Sequence, residues 1–213
     1  MIVGIIADIH GNLPALDATL AEMPETDALL LAGDIAGRAH ELVEAFRIID
    51  KRHMIYVQGN HEETAVSFYS LFGGNSALTS AISRIKETPY RRDMVIDGAK
   101  ILLAHGSPWN PKNEYIYPEY PHFDRFAGLG MDYVILGHTH VPMVTRAGHV
   151  VIINPGSVGE PEATHPRPSY CLLDTHTGQT RIHYLTTYVE KKRLRYITPF
   201  RWSRYSIGAA EPS

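Results

Sequence analysis

Side chains that bind metals or carry protons occur at five places along this 213-residue chain, each directly after a short apolar run. The first and last places each hold a pair two positions apart, Asp8 with His10 and His138 with His140. In extended backbone, residues two positions apart point to the same side. The places between them hold Asp34, Asn60 followed by His61, and His105. Imidazole, carboxylate and amide oxygens together bind transition-metal ions, and imidazole also transfers protons near neutral pH.

The apolar runs are short and rich in β-branched residues, which is typical of buried strands. They cover residues 1–7, 28–32, 54–57, 100–104, 133–136, 150–153 and 170–173. In the first half they alternate with helical patterns, such as the apolar face of Leu13, Leu16 and Leu20 that follows Asn12 as a candidate N-cap. This alternation predicts an α/β fold with a mainly parallel sheet, in which ligands bind at the carboxyl ends of the strands. We therefore expect the five places to converge on one site.

The pattern changes after Met94, where Asp97 and Gly98 separate two apolar runs and predict a β-hairpin. The later runs follow one another with only turns between them, which indicates a second sheet of more antiparallel character packed on the first. The sequence contains no internal repeat and no linker composition in this region, so residues 1–187 are predicted to form one domain.

The predicted ligand set contains no thiolate, because Cys171 is the only cysteine and lies outside the five places. A mixture of carboxylate, imidazole and amide ligands favours Mn, Fe, Ni, Co or Zn over Ca. Among these metals, Mn or Fe is expected. The ligands exceed what one ion with open positions can use, so two divalent ions bridged by a carboxylate are expected, about 3.5 to 4 Å apart. Two such ions with two carboxylates and a hydroxide leave about one net positive charge, which favours an anionic substrate and in-line displacement at phosphorus.

His61 directly follows Asn60 and is therefore expected at the rim of this site. An imidazole at the rim is a candidate proton donor to a departing alkoxide oxygen. The competing interpretation is a structural histidine near the start of a helix.

Five short strings occur in the order of the five motif blocks of the calcineurin-like metallophosphoesterase superfamily, which the chain resembles over residues 8–140. The strings are Asp8-Ile9-His10, Gly33-Asp34, Gly59-Asn60-His61-Glu62, His105-Gly106 and Gly137-His138-Thr139-His140. The short chain and the string Asn154-Pro155-Gly156-Ser157 resemble the small bacterial and archaeal phosphodiesterase branch. The resemblance implies a four-layer α/β/β/α sandwich, with two mixed sheets flanked by helices and a dinuclear centre between the sheet ends.

The resemblance also implies a role for each residue of the site. It implies one metal held by Asp8, His10, Asp34 and His140, and another held by Asp34, Asn60, His105 and His138. Asp34 would then bridge the two ions, and His61 would be the catalytic acid.

The expected function is hydrolysis of a phosphodiester bond in a small diester or a nucleotide, through a dinuclear metal centre and a bridging hydroxide. One alternative is a phosphomonoesterase or protein phosphatase on the same centre. A second alternative is a non-catalytic interaction scaffold, against which the intact Asn60, His61 and His105 argue.

Residues 188–213 differ from the rest in charge, because six basic and two acidic residues give this segment a net charge of +4. The whole chain carries −3, which leaves −7 on the remainder. Aromatic residues interleave with the basic ones, so we expect an extension that packs on the domain or on a partner subunit of a homo-oligomer. Binding of nucleic acid is the alternative, and the acidic remainder argues against it.

Residues 107–123 contain four prolines and several large aromatic side chains, a composition too irregular for a strand or a long helix. The aromatic residues include Trp109, Tyr115, Tyr117 and Tyr120. Because this loop follows His105, we expect it to overhang the metals as a wall or lid on which a base or aryl group stacks. The alternative is that its aromatic residues pack onto their own domain or a partner.

The longest apolar runs are far shorter than the roughly 20 residues that a membrane helix needs. The first residues lack the basic lead and the long apolar stretch of a signal peptide. A single cysteine gives no intramolecular disulfide, so we predict a cytoplasmic protein without a membrane partner.

Overall fold

The computed structural model describes residues 1–72 and 75–186, which form ten strands, four α-helices and one 3₁₀ helix. The strands are β1 (Ile2–Ile6), β2 (Ala28–Ala32), β3 (Ile55–Val57), β4 (Arg91–Ile96), β5 (Ala99–Ala104), β6 (Tyr133–Ile135), β7 (Met143–Ala147), β8 (Val150–Asn154), β9 (Ser169–Asp174) and β10 (Thr180–Tyr184). The helices are α1 (Leu13–Glu22), α2 (Ala39–Lys51), α3 (Asn60–Phe72), α4 (Ser76–Glu87) and the 3₁₀ helix Phe123–Leu129. The predicted extension, residues 188–213, lies outside the described residues.

The strands form two five-stranded sheets, with the orders β10-β9-β1-β2-β3 and β4-β5-β6-β8-β7. Each sheet has two parallel and two antiparallel pairings, so the prediction of a more antiparallel second sheet is wrong. The physical reason lies in two strands. β6 and β8 pair in parallel because β7 folds out to the edge of the second sheet, and β9 crosses back to pair with β1 of the first sheet.

Three apolar clusters divide the molecule into four layers. The cluster between the sheets joins Val3 and Ile5 of the first sheet to Ile101 and Ile153 of the second. The outer face of the first sheet is covered by all four α-helices. The outer face of the second sheet is covered by the 3₁₀ helix, which buries Phe126, and by the loop before it. The predicted α/β/β/α sandwich of two mixed sheets is therefore confirmed, with the 3₁₀ helix and its loop as the fourth layer.

Local sequence explains the elements next to the strand ends. The side chain of Asn12 accepts a hydrogen bond from the backbone N–H of Ala15 at 3.2 Å and caps α1, as predicted. Asp97 and Gly98 form a two-residue turn between β4 and β5, with φ of 50° and 80°. Two positive φ values are those of a type I′ turn, whose twist matches the twist of paired strands.

We find no helix among residues 1–72 and 75–186 that is both long enough and apolar enough to cross a membrane.

Candidate metal centre

The parallel strands bring the predicted ligands to one end of the sandwich. β1, β2 and β3 run parallel, and the chain passes from their carboxyl ends into Asp8, Asp34 and Asn60. In the second sheet β5 and β6 are also parallel, and their ends lead into His105 and His138. Hydrogen bonds join the two sets of strand ends, because the backbone N–H of His138 donates to both carboxylate oxygens of Asp8 at 3.1 and 3.2 Å.

The first group of ligand atoms belongs to Asp8, His10, Asp34 and His140, and these atoms all lie within 4.8 Å of one another. The Nε2 atoms of His10 and His140 are 3.1 Å apart. A carboxylate oxygen of Asp8 lies 3.5 Å from His140 Nε2, and a carboxylate oxygen of Asp34 lies 3.7 Å from His10 Nε2. This group matches the first predicted metal-binding set.

The second group belongs to Asp34, His105 and His138, whose ligand atoms also lie within 4.8 Å of one another. His105 Nε2 is 3.2 Å from a carboxylate oxygen of Asp34 and 3.1 Å from the amide oxygen of Asn60. Asp34 thus belongs to both groups, as a bridging carboxylate must. The structure brings together all seven residues predicted to be ligands.

The backbone carries strain where these residues lie. Among the described residues, seven that are not glycine have a positive φ, and five of the seven belong to the two ligand groups. These five are Asp8, His10, Asp34, His138 and His140. The left-handed region is uncommon for residues with a side chain, and such strain concentrates at functional sites.

Glu62 holds the loops that carry Asp34 and Asn60, a role not predicted from the sequence. Its fully buried carboxylate accepts hydrogen bonds from the backbone N–H groups of Asp34, Ala36 and Gly59, at 3.0, 2.7 and 2.6 Å. The signal for it was its place in the Gly59-Asn60-His61-Glu62 string, because an acidic residue three positions after a glycine at a helix start can accept from the backbone there.

Position 59 requires glycine because a side chain would clash with its neighbours, and not because of its backbone conformation. A Cβ atom at this position would lie 2.2 Å from a carboxylate oxygen of Asp34 and 2.8 Å from the ring of His105. The loop after β3 therefore approaches two of the ligands more closely than any side chain permits.

The string 154–157 supports the site from the second sheet and does not line it. Asn154 Nδ2 donates to the carbonyl oxygen of Gly137 at 2.7 Å and to Thr139 Oγ1 at 3.0 Å. Ser157 Oγ donates to the carbonyl oxygen of Asp8 at 2.9 Å. Asn154 and Ser157 are buried, so they fix the backbone of the ligands from behind.

The central pair of the second group is held together by charge. Burial disfavours the charged form of His105, but its hydrogen bond and charge interaction with Asp34 outweigh burial and raise its pKa to about 9. Burial likewise disfavours the Asp34 carboxylate, and the hydrogen bond from His105 leads the effects that hold its pKa well below the usual range. Asp34 is therefore an anion at neutral pH and a strong ligand for a cation.

His138 is prepared to bind through a lone pair. Burial, followed by the nearby His105, lowers the pKa of His138 to about 4, so its ring is neutral at neutral pH. Among the described residues, its Nε2 is the buried side-chain nitrogen or oxygen that lacks a hydrogen-bond partner. A buried polar atom without a partner costs free energy unless something binds it. Neutral imidazole beside carboxylate and amide oxygens is the donor set that a borderline transition-metal ion takes, so these residues fit the expected ions.

His61 lies at the rim, as predicted. Its side chain is exposed, and its ring stands edge-on to the ring of His10 with centroids 4.5 Å apart. Its backbone N–H donates to a carboxylate oxygen of Asp34 at 3.0 Å, which ties its position to the carboxylate that both ligand groups share.

Comparison with known proteins agrees with this geometry. A model of the calcineurin-like phosphoesterase superfamily domain matches residues 1–178, and the chain belongs to this superfamily. The crystal structure of a metallophosphoesterase from Sphaerobacter thermophilus superposes with a TM-score of 0.72 at 27% identity, covering 86% of this chain and 88% of that one.

Two relatives of named activity are similar over most of their length. Phosphodiesterase YfcE of Escherichia coli is 26% identical over 79% of this chain and 84% of its own. Serine/threonine-protein phosphatase 2 of Salmonella typhimurium is 25% identical over 72% of this chain and 86% of its own. The family and the relatives confirm the resemblance to small bacterial and archaeal phosphoesterases.

Proposed function

We propose that the protein is a metal-dependent phosphodiesterase. The observation that carries the proposal is the pair of ligand groups that share Asp34, with the exposed His61 beside them. Two adjacent cation sites next to a proton donor suit displacement at a phosphorus atom whose leaving oxygen needs a proton.

The first ion would be held by Asp8, His10, Asp34 and His140, and the second by Asp34, Asn60, His105 and His138. The donor set favours Mn or Fe, and Ni, Co and Zn also fit it. Bound there, the ions would acidify the attacking water and neutralise charge on the phosphoryl oxygens.

The side chains of the protein supply the proton and position the groups of the site. His61 is exposed at the rim, where it donates a proton to the departing ester oxygen. Its backbone bond to Asp34 fixes its distance from the site, which is the positioning that general-acid catalysis requires. Glu62 fixes the Asp34 and Gly59 backbones, so both the bridging carboxylate and His61 depend on it.

The similarity to phosphodiesterase YfcE supports a diester substrate. The similarity to serine/threonine-protein phosphatase 2 supports the second candidate, a phosphatase on the same centre. We propose that the substrate is a small phosphodiester or a nucleotide. A cytoplasmic location and assembly into a homo-oligomer are further predictions.

The test compares substrates and one variant. We expect the manganese-loaded protein to hydrolyse bis(4-nitrophenyl) phosphate faster than 4-nitrophenyl phosphate, and EDTA to abolish both activities. Replacing His61 with alanine should keep the metal content and slow hydrolysis of diesters with poor leaving groups by about 10² to 10⁴-fold, the usual contribution of a general acid.

His176→Ala is the matched control, because His176 is exposed and follows β9, whose carboxyl end lies at the opposite end of the sandwich from the site. It should retain wild-type rates. Faster hydrolysis of the monoester would favour the phosphatase, and a fully active His61→Ala variant would remove His61 from the mechanism.

A further inference from the structure

The loop 107–123 is held in place at several points. The backbone N–H of Gly106 donates to the carbonyl oxygen of Pro111 at 2.7 Å, and Arg91 donates to the carbonyl oxygen of Pro108 at 3.1 Å. Lys112 forms an ion pair with Glu63, in the first turn of α3. These contacts fasten the loop to the second sheet and to the helix that follows Asn60, so it is a fixed wall of the site.

Two aromatic side chains of this loop, those of Trp109 and Tyr120, pack against other parts of the fold. The ring of Trp109 packs edge-on against Phe126 with centroids 4.9 Å apart, and the guanidinium of Arg125 lies 3.8 Å from the Trp109 ring centroid. The hydroxyl of Tyr120 donates to Glu114 at 3.0 Å, and its ring also contacts Phe126. These two residues therefore pack onto their own domain, which is the alternative predicted for the loop.

Tyr115 and Tyr117 differ, because both residues remain about half exposed, at 49% and 43%, and Tyr115 contacts a candidate ligand. The ring of Tyr115 stacks on the ring of His138, with centroids 3.7 Å apart and 20° between the planes. The ring of Tyr117 lies nearly parallel to that of Tyr115, at 9° and 5.9 Å between centroids. Together the two rings form an aromatic step that leads away from His138.

We propose that this aromatic step, Tyr115 and Tyr117, binds a planar ring attached to the phosphate of the substrate, such as a nucleobase or an aryl group. The inference rests on the proposed function, because His138 places the phosphate next to the step only if the ligand groups hold the ions. Bases stack on exposed aromatic side chains without strong sequence preference, so the substrate class is a nucleotide or aryl phosphoester. Two exposed parallel rings held on an anchored loop lose little entropy when a third ring is added.

The experiment measures binding by calorimetry to the full-length, manganese-loaded protein, with AMP and ribose 5-phosphate as probes. Both probes carry the same phosphate and sugar, but only AMP carries a base. We expect wild type to bind AMP at least about tenfold more tightly than ribose 5-phosphate. Tyr117→Leu should weaken the binding of AMP about tenfold and leave the binding of ribose 5-phosphate unchanged. Tyr117→Phe should keep the wild-type preference for AMP.

Phe68→Leu is the matched control, since Phe68 is an exposed aromatic ring on α3, two turns after Asn60. Equal affinity of wild type for the two probes, or equal effects of Tyr117→Leu and Phe68→Leu, would overturn the aromatic step. Hydrolysis of bis(4-nitrophenyl) phosphate is measured on the same preparations. If hydrolysis is present but the AMP preference is missing, the aromatic step is wrong and the phosphodiesterase stands. A preference for AMP without hydrolysis supports the step and contradicts the proposed reaction.

Discussion

Asp34 is the residue on which the two halves of the site depend. Its carboxylate belongs to both ligand groups and also accepts the backbone N–H of His61 at 3.0 Å. Its own backbone N–H is bound by Glu62. The position of this shared carboxylate is therefore set by a second, buried carboxylate, that of Glu62, which belongs to neither ligand group. Burial, followed by repulsion from Asp34, raises the pKa of Glu62.

Replacing Glu62 with alanine tests this support. Three buried backbone N–H groups would lose their acceptor, at about 1 to 3 kcal/mol each, so the free energy of unfolding should fall by at least about 3 kcal/mol. Urea titration measures this fall, and calorimetry should show weaker manganese binding by the folded variant.

Glu63→Ala is the control, since the neighbouring Glu63 is exposed and pairs with Lys112 across the surface. An exposed ion pair contributes about 0 to 1 kcal/mol. If both variants lose the same small amount, Glu62 does not organise the site.

At the scale of residues, the positions of the candidate ligands could be predicted from the sequence, whereas most of the contacts that support them could not. Asp8, Asp34 and His105 each follow an apolar run, and a strand end is a place that a sequence pattern identifies. The role of Glu62 depends on three N–H groups that only the folded loops bring together. The division of the aromatic loop into structural and exposed rings depends likewise on where Phe126 lies.

At the scale of elements, the apolar runs predicted where the strands lie, but they did not predict which strands pair with each other. Residues 170–173 were predicted as a strand, and β9 (Ser169–Asp174) is one, but its partner is β1 of the first sheet. A strand that is apolar on both faces fits the middle of either sheet, so the run itself does not choose. The length of α3 could not be predicted because this helix lacks a continuous apolar face, as the exposed Phe68 and Leu71 show.

The turn between β4 and β5 yields a prediction about one backbone conformation. Gly98 has φ of 80°, and a Cβ there would meet no atom within 4 Å, so replacement by alanine costs backbone energy alone. We expect Gly98→Ala to lower the free energy of unfolding by about 1 kcal/mol, measured by urea titration.

Gly128 provides the comparison, because it lies in the 3₁₀ helix with ordinary φ and also has open space at its Cβ position. Gly128→Ala should be neutral or stabilising by up to about 1 kcal/mol. A Gly98→Ala variant as stable as Gly128→Ala would contradict the assignment of a type I′ turn.

At the scale of the whole molecule, the layer between the two sheets is closed to water. Cys171 lies in that layer, fully buried on β9 among residues of both sheets. Burial raises the pKa of its thiol to about 12. Because thiolate is the reactive form, the native protein should resist thiol reagents at pH 8 while the urea-unfolded chain reacts quickly. Rapid reaction of the native protein would mean that the sheets separate readily.

The same thiol makes stability depend on pH. Its folded-state pKa lies above its ordinary value of about 9, so its contribution is complete below pH 9 and is lost as the pH rises toward 12. Between pH 8 and 10 the free energy of unfolding should fall by about 1 kcal/mol more in wild type than in Cys171→Ala. Urea titrations of both proteins at the two pH values measure the difference.

The place of β1 in its sheet determines the order in which its neighbouring strands can pair with it during synthesis. β1 lies between β2, which is made soon afterwards, and β9, which follows about 160 residues later. At roughly 5 to 20 residues per second, a ribosome needs about 8 to 30 s to cover that distance. During that time, the edge of β1 that pairs with β9 has no partner strand. The first sheet therefore cannot close until β9 has been made, so its folding is completed long after synthesis of β1 and β2.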